Sequence, residues 1–457
     1  MDSEAPATRA TIDRSVAATH LTSDNATSDN GGPLRVFICG IDGYLGWSLA
    51  QHLTARGHTV GGADIFLRRR WVEEMDSWSA VPIAAMRERR EAFSSRYDQE
   101  LPFWEQDLRS YDAVRDMLEQ FGPDAVVHLG ECPSAPYSMV DARHAVFVQL
   151  NNIVSTFNLL YAVRELDPDI HLVKLGTMGE YGTPGVPIPE GFFDIEYRGR
   201  KDRLPFPRQA GSWYHWSKVH GSNNVMFACR LWGLRATDIM QGVVFGTRID
   251  DSDGDPRLRT RLDFDQAFGT AVNRFCCQAV VGHPLTPYGE GHQKRGFLPL
   301  RDSMQCLTLV LENAPATGQY RVFNQFQEVY DITELALMVQ RAAAKLDVNV
   351  EVRNVENPRR ELEDHYYEPD HQGLLDLGYR QTQDVEGEMG LMISDLMCHR
   401  DRIEAKLDAL LPDVHWNGTR ARVRFLRPEG APLAHEPLEH EPLALVGTAD
   451  EADAADV

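Results

Sequence analysis

Through the first half of the chain, short apolar runs alternate with helical stretches. Leu34–Cys39 is a β-rich run; a glycine-punctuated turn follows, then the helical stretch Leu45–Ala55. Thr59–Ile65 predicts the next strand. Ala125–Leu129 and His171–Leu175 repeat the signal after helical segments near 111–121 and 146–165. Strands that are apolar on both faces and separated by helices predict an α/β fold with a doubly wound parallel sheet. A further strand is expected around Leu234–Val244, followed by an irregular Arg/Asp-rich stretch near 247–265. Beyond it the simple alternation is lost. This predicts a smaller second domain over 246–413, closed by an amphipathic helix near Glu386–Leu411. The flanks 1–33 and 414–457 are rich in small and acidic residues, and are expected to be disordered acidic tails.

Candidate chemistry begins in the first turn. Gly40-Ile41-Asp42-Gly43-Tyr44-Leu45-Gly46 places three glycines between a strand and a helix. Such glycines let the backbone turn tightly and approach a pyrophosphate, and the helix N-terminus offers free N–H donors to it. Asp64, at the end of the second predicted strand and about 20 residues on, is placed to accept the ribose hydroxyls of a dinucleotide. The first domain, 34–245, therefore reads as a Rossmann NAD-binding domain. Arg68 and Arg69 follow Asp64 and could reach the adenosine side of the cofactor or be solvated.

Tyr214-His215-Trp216-Ser217-Lys218 puts a phenol and an ammonium one helical turn apart, on one face. A lysine beside a phenol lowers its pKa, which would make Tyr214 a usable base for a sugar hydroxyl. Thr177 follows the fourth predicted strand and completes the group.

Together these residues resemble the extended short-chain dehydrogenase/reductase family of sugar-nucleotide epimerases and dehydratases. Longer motifs narrow the resemblance to the UDP-sulfoquinovose synthases within it. They are Ser134–Met139, Leu172–Pro184 (LVKLGTMGEYGTP), Tyr214-His215, Gly242–Gly246, Arg261-Leu262-Asp263, Phe268–Phe275, Gly282–Thr286, Arg321–Phe326 (RVFNQF), Asn357-Pro358-Arg359 and His365-Tyr366-Tyr367. The similarity spans about 34–411.

The resemblance implies that UDP-glucose and sulfite become UDP-sulfoquinovose, with NAD reduced and reoxidised in one cycle. Tyr214 would take the 4-hydroxyl proton, with Lys218 and Thr177 stabilising the developing charge. Glu180 and His215 are candidates for the C5 and C6 proton transfers, or are orienting groups. Ordinary 4,6-dehydratases carry Asp-Glu after the threonine; this chain has Met178-Gly179. The cofactor set implied is Gly40, Gly43, Tyr44, Leu45, Gly46, Asp64, Arg68, Arg69, Asp107, Leu108, Asn152, Tyr214, Lys218, Gln241 and Val244. The second domain, 246–413, would bind the UDP-sugar, with Arg261, Asn273, Thr286, Tyr288, Arg295 and Arg359 beside Thr177. The family's Gly-Glu-Gln-Arg-Ser-Ala-Pro reads Gly130-Glu131-Cys132-Pro133-Ser134-Ala135-Pro136 here, so a guanidinium and an amide expected near sulfite are replaced. Free sulfite or a sulfite-donating protein would be the partner, and a helix-mediated homodimer is the family habit. The alternatives are a UDP-sugar 4-epimerase or 4,6-dehydratase working without sulfite, and a dinucleotide sensor that has no use for the Thr-Tyr-Lys group.

Composition constrains the setting. The net charge is −22 over 457 residues, which argues against a nucleic-acid partner. Of 46 basic residues only six are lysine, and acid-rich, lysine-poor composition suits concentrated salt, a halophilic signature. Seven irregularly spaced cysteines read as reduced thiols in a cytoplasmic protein, and no histidine or cysteine spacing suggests a metal site. No window approaches the uncharged apolar length of a membrane span.

Overall fold

The structure, a computed structural model, describes residues 32–426 apart from 253 and 363. Of the tails expected at 1–33 and 414–457, residues 1–31 and 427–457 lie outside the described residues. In chain order the strands are β1 (Arg35–Cys39), β2 (Thr59–Ala63), β3 (Phe103–Trp104), β4 (Ala125–His128), β5 (His171–Thr177) and β6 (Phe192–Tyr197). They continue with β7 (Arg200–Pro205), β8 (Ala236–Gln241), β9 (Val243–Phe245), β10 (Lys294–Pro299), β11 (Tyr320–Gln325) and β12 (Glu328–Asp331).

Seven of them form a parallel sheet in the order β11-β8-β5-β4-β1-β2-β3. Val36 through Cys39 of β1 are fully buried, because helices cover both faces of this central strand. From β1 the chain winds outward to β3, then returns to β4 on β1's other side. In open α/β sheets ligands bind in the crevice outside the strand ends at this reversal. Gly40 makes the turn there with φ +84°, a conformation that side-chain-bearing residues rarely adopt.

Three sequence expectations are corrected. Residues 300–325 belong to the first domain, not the second. β11 extends the main sheet beside β8, and helix Leu300–Glu312 packs on helix Tyr44–Ala55. The long insertion before β11 hides the alternation. The strand expected at Leu234–Val244 divides at Gly242, where a Cβ would lie 2.6 Å from the Gly296 carbonyl oxygen. β8 joins the main sheet, while β9 joins β10 and β12 in a small second one. The closing helix expected at Glu386–Leu411 is broken into Val385–Met397, Arg400–Glu404 and a turn at Leu407–Leu410.

The second domain packs helices Ala271–Val281, Ile332–Ala344 and Val385–Met397 around Phe275, Leu335, Val339 and Met389. Residues 414–426, expected to start a tail, are folded: Val414 and Val423 are buried and Val355 bridges Phe425. One helix, Ala142–Leu166, is long and apolar enough to cross a membrane, contrary to the sequence reading. Half of its most apolar window is buried within the fold, where it packs on helix Trp213–Trp232.

Candidate active site

A cavity of about 550 Å³ runs from the glycine turn, past the ends of β4 and β5, to the second domain. At its inner end the chain is built for close approach. A Cβ on Gly46 would lie 2.2 Å from the Gly40 carbonyl oxygen, and one on Gly130 would lie 2.3 Å from Leu108 Cδ1. Helix Tyr44–Ala55 has no side-chain cap, so its first N–H groups are left for an anion. Gly40, Gly43, Tyr44, Leu45, Gly46, Asp64, Asp107, Leu108, Gln241 and Val244 all line this cavity. The cradle fits the pyrophosphate and ribose of NAD.

Asp64 accepts hydrogen bonds from the Asp42 and Phe66 amides, at 3.0 and 2.7 Å. Burial, with Asp42 beside it, pushes its carboxyl up to about 6. Arg68 reaches the cavity wall but donates to Asp263 at 2.8 Å and lies over the Phe268 ring. Arg69 is not in the lining. Its guanidinium grips both oxygens of Asp42 at 2.7 Å, and buried Arg89 adds a third contact at 2.6 Å. Both arginines are thus matched by carboxylates, leaving Asp64 to face the ribose. The dinucleotide released from purified, denatured protein is therefore expected to be NAD; a preponderance of NADP would refute this assignment.

Asn152 is also displaced from the expected set. It exchanges hydrogen bonds with the Cys132 backbone at 2.7 and 3.2 Å and donates to Ser217 Oγ, while Asn151 lines the cavity.

Helix Trp213–Trp232 is N-capped by Ser212 and carries Tyr214 and Lys218 one turn apart, facing Thr177 at the end of β5. Lys218 Nζ donates to the Leu175 carbonyl at 2.6 Å and to Glu131 Oε2 at 2.5 Å, and sits 5.9 Å from the Tyr214 ring centre. Burial works against the Glu131 carboxylate, but Lys218, His128 and Lys174 outweigh it and hold its pKa below the usual range. The lowered Tyr214 pKa expected from sequence is not found. Burial pushes the phenol up, Glu131 pushes it further, and the lysine's charge is already matched by that glutamate.

His215 lines the cavity with Nδ1 at 2.9 Å from Ser212 Oγ. Burial, with Arg359, Arg295 and Lys218 nearby, pushes it down to about 3, so the imidazole is neutral near pH 7. A Cβ on Gly179 would lie 2.4 Å from His215 Nε2. The imidazole therefore occupies the space that a side chain at position 179 would take. Glu180 does not reach the cavity. It is fully buried, accepting from Arg208 at 2.6 Å, from Ser222 and from the Thr177 amide. That corrects the expectation of direct proton transfer by Glu180: its place is that of a group that fixes Thr177.

At the outer end the cavity is lined by Asn273, Tyr288, Arg295 and Arg359, as expected. Arg261 and Thr286 are not in the lining. Arg261 is buried in a bidentate pair with Asp263, and Thr286 hydrogen-bonds Gln278. Arg274, Gln266 and Trp416, which the sequence reading missed, line the cavity in their stead. Arg274 lies one helical position after Asn273, but among so many arginines no local signal marks it. Cys132 points into an apolar cluster with Trp71, Tyr137 and Phe268, so position 132 does not face the cavity; Pro133 does.

Comparison with known proteins agrees with this geometry. The model of the NAD dependent epimerase/dehydratase family matches residues 36–324. Among solved structures, UDP-glucose-4-epimerase from Stenotrophomonas maltophila, with bound NAD and formylated UDP-arabinopyranose, superposes with a TM-score of 0.62. It is 15% identical, over 81% of this chain and 99% of that one. UDP-glucose 4-epimerase from Thermotoga maritima, with UDP-glucose, gives 0.58 at 16% identity, over 82% and 100%. Fold and site thus define an NAD-dependent enzyme of the epimerase/dehydratase class that modifies nucleotide sugars. The UDP-sulfoquinovose synthase of Sulfolobus acidocaldarius is 45% identical over 84% of this chain and 98% of its own length. The chloroplastic UDP-sulfoquinovose synthase of Spinacia oleracea is 42% identical over 87% and 82%. Within its class, the chain belongs to the UDP-sulfoquinovose synthase family.

Proposed function

We propose that this protein converts UDP-glucose and sulfite to UDP-sulfoquinovose and water, using NAD that is regenerated in each cycle. The observation that carries this reading is the convergence of Thr177, Tyr214, Lys218 and His215 on one cavity wall, between a dinucleotide cradle and an arginine-rich mouth. When bound, NAD accepts hydride from C4 of the glucosyl group and returns it at the end. Tyr214 takes the 4-hydroxyl proton as that hydride leaves, and Thr177 hydrogen-bonds the oxygen that becomes the 4-keto group. Lys218, anchored by Glu131 and Leu175, has a remaining N–H for the ribose and orients the phenol. The keto group acidifies C5. We assign that proton to His215, whose imidazole lines the cavity; passing it to the departing 6-hydroxyl releases water and gives the 5,6-ene. Sulfite adds at C6 as hydrogensulfite, whose proton goes to C5, and Tyr214 would give its proton back to the 4-oxygen as C4 is reduced again.

The sulfite dianion needs fixed cations. Pro133 on the cavity wall offers neither charge nor N–H, and Lys218 and Arg295 in the same lining are already paired with Glu131 and Glu361, at 2.5 and 2.6 Å. A homodimer is proposed through the paired helices Ala142–Leu166 and Trp213–Trp232, which leave Val146, Leu150, Phe157, Phe227 and Leu231 exposed.

Mass analysis of products from UDP-glucose tests the reading. With sulfite, a UDP-linked sulfonate is expected. A C4 epimer or a 4-keto-6-deoxy sugar, with no sulfonate at any sulfite level, would rule it out.

A further inference from the structure

Residues 412–426 fold back over the cavity mouth as a strap. Its backbone is pinned by Trp416 N–H to the Pro358 carbonyl at 2.8 Å, and by Leu426 N–H to the Asn354 carbonyl at 2.8 Å. The Gln266 side chain donates to Asp413 Oδ1 at 2.6 Å and accepts from the Asp413 amide at 2.8 Å. The strap thereby ties together two segments that flank the mouth, one around Gln266 and one around Arg359.

Within the strap, Trp416 alone of the described residues lines the cavity. Its ring centre lies 5.6 Å from the Arg359 guanidinium carbon, and the Tyr288 ring lies 5.8 Å from the same atom. Arg359 Nε is buried with no hydrogen-bond partner, and so is Arg274 Nε. Arg274 itself faces Tyr288 and donates to the Thr286 carbonyl at 3.0 Å. Two neighbouring guanidinium groups with unmatched buried donors are arranged for an anion that both can reach. Burial first, and the adjacent Arg359 second, lower Arg274 to about 9, the direction expected of a desolvated guanidinium with no carboxylate beside it.

We propose that Trp416 is a positioning residue. With Tyr288 it holds the Arg359 guanidinium between two aromatic rings, where it meets the diphosphate of the nucleotide sugar. The C-terminal strap is then part of the nucleotide half of the site. This rests on the UDP-sugar reading. An unrestrained arginine would lose side-chain freedom on binding, whereas one already held against indole and phenol faces binds at a smaller entropic cost.

The test uses the full-length, NAD-loaded protein, with UDP and uridine titrated by calorimetry. Trp416→Ala is expected to weaken UDP by about tenfold, the scale of a lost cation–π pair at a shielded site. Uridine binding should be unchanged, because the role runs through the diphosphate. Trp416→Phe should restore most of the UDP affinity. In steady state, Trp416→Ala should raise KM for UDP-glucose much more than it lowers kcat. Unaltered UDP affinity in Trp416→Ala overturns the proposal, as does an equal loss for uridine. Failure of Trp416→Phe to recover affinity, with circular dichroism matching wild type, overturns it too. Wild-type protein that binds no UDP would instead overturn the UDP-sugar reading, and the proposal with it.

Discussion

Tyr214→Phe lowers turnover by about 10²–10⁴, the usual contribution of a positioned general base, while UDP-sugar binding survives. The phenyl ring keeps the shape that packs beside His215, whose ring centre lies 4.9 Å away. What is lost is the oxygen that takes the 4-hydroxyl proton. With no C4 oxidation, adding UDP-glucose to Tyr214→Phe should leave the nicotinamide absorbance flat. The buried, raised phenol also implies that deprotonation is coupled to substrate and cofactor binding rather than complete beforehand. Turnover close to wild type in this variant would make Tyr214 a structural residue and the proposed chemistry wrong.

Gly179→Ala has an effect of comparable size at a different step. The added methyl would lie 2.4 Å from His215 Nε2 and 2.5 Å from its Cδ2, closer than real Cβ contacts come. The imidazole must move, and the C5 proton loses its acceptor. Loss of that step costs about 10²-fold or more in rate, with C4 oxidation still running. Reduced nicotinamide should therefore accumulate with UDP-glucose, the reverse of the Tyr214→Phe result. His215→Ala, which keeps Gly179, should reproduce the accumulation. If both variants turn over normally, His215 is not the group that serves C5. The same contact gives a physical reason for Met178-Gly179 standing where dehydratases have an acidic pair: the glycine makes room for a histidine brought in from the next helix.

The sequence by itself determined the dinucleotide cradle, Asp64, Thr177 and the Tyr214–Lys218 pair. These are written in local terms: a strand–turn–helix with glycines where no Cβ fits, a carboxylate at a strand end, and two side chains one helical turn apart. The resemblance in longer motifs fixed the family, and the comparisons bear it out. Only the tertiary structure decided which groups meet. Lys218 is matched by Glu131, 87 residues earlier, and burial first, with that glutamate second, raises the phenol's pKa that the helical spacing alone would have lowered. Glu180, Asn152, Arg69, Arg261 and Thr286 carry the polar chemistry a site needs, but each faces an internal partner instead of the cavity. Arg274 and Trp416 reach it from segments with no local mark. β11 joins the first domain from beyond a long insertion. Spacing along the chain sets which side chains share a face. Whether that face meets a cavity, a counter-charge or a core depends on elements far away in sequence, and folding alone brings those together.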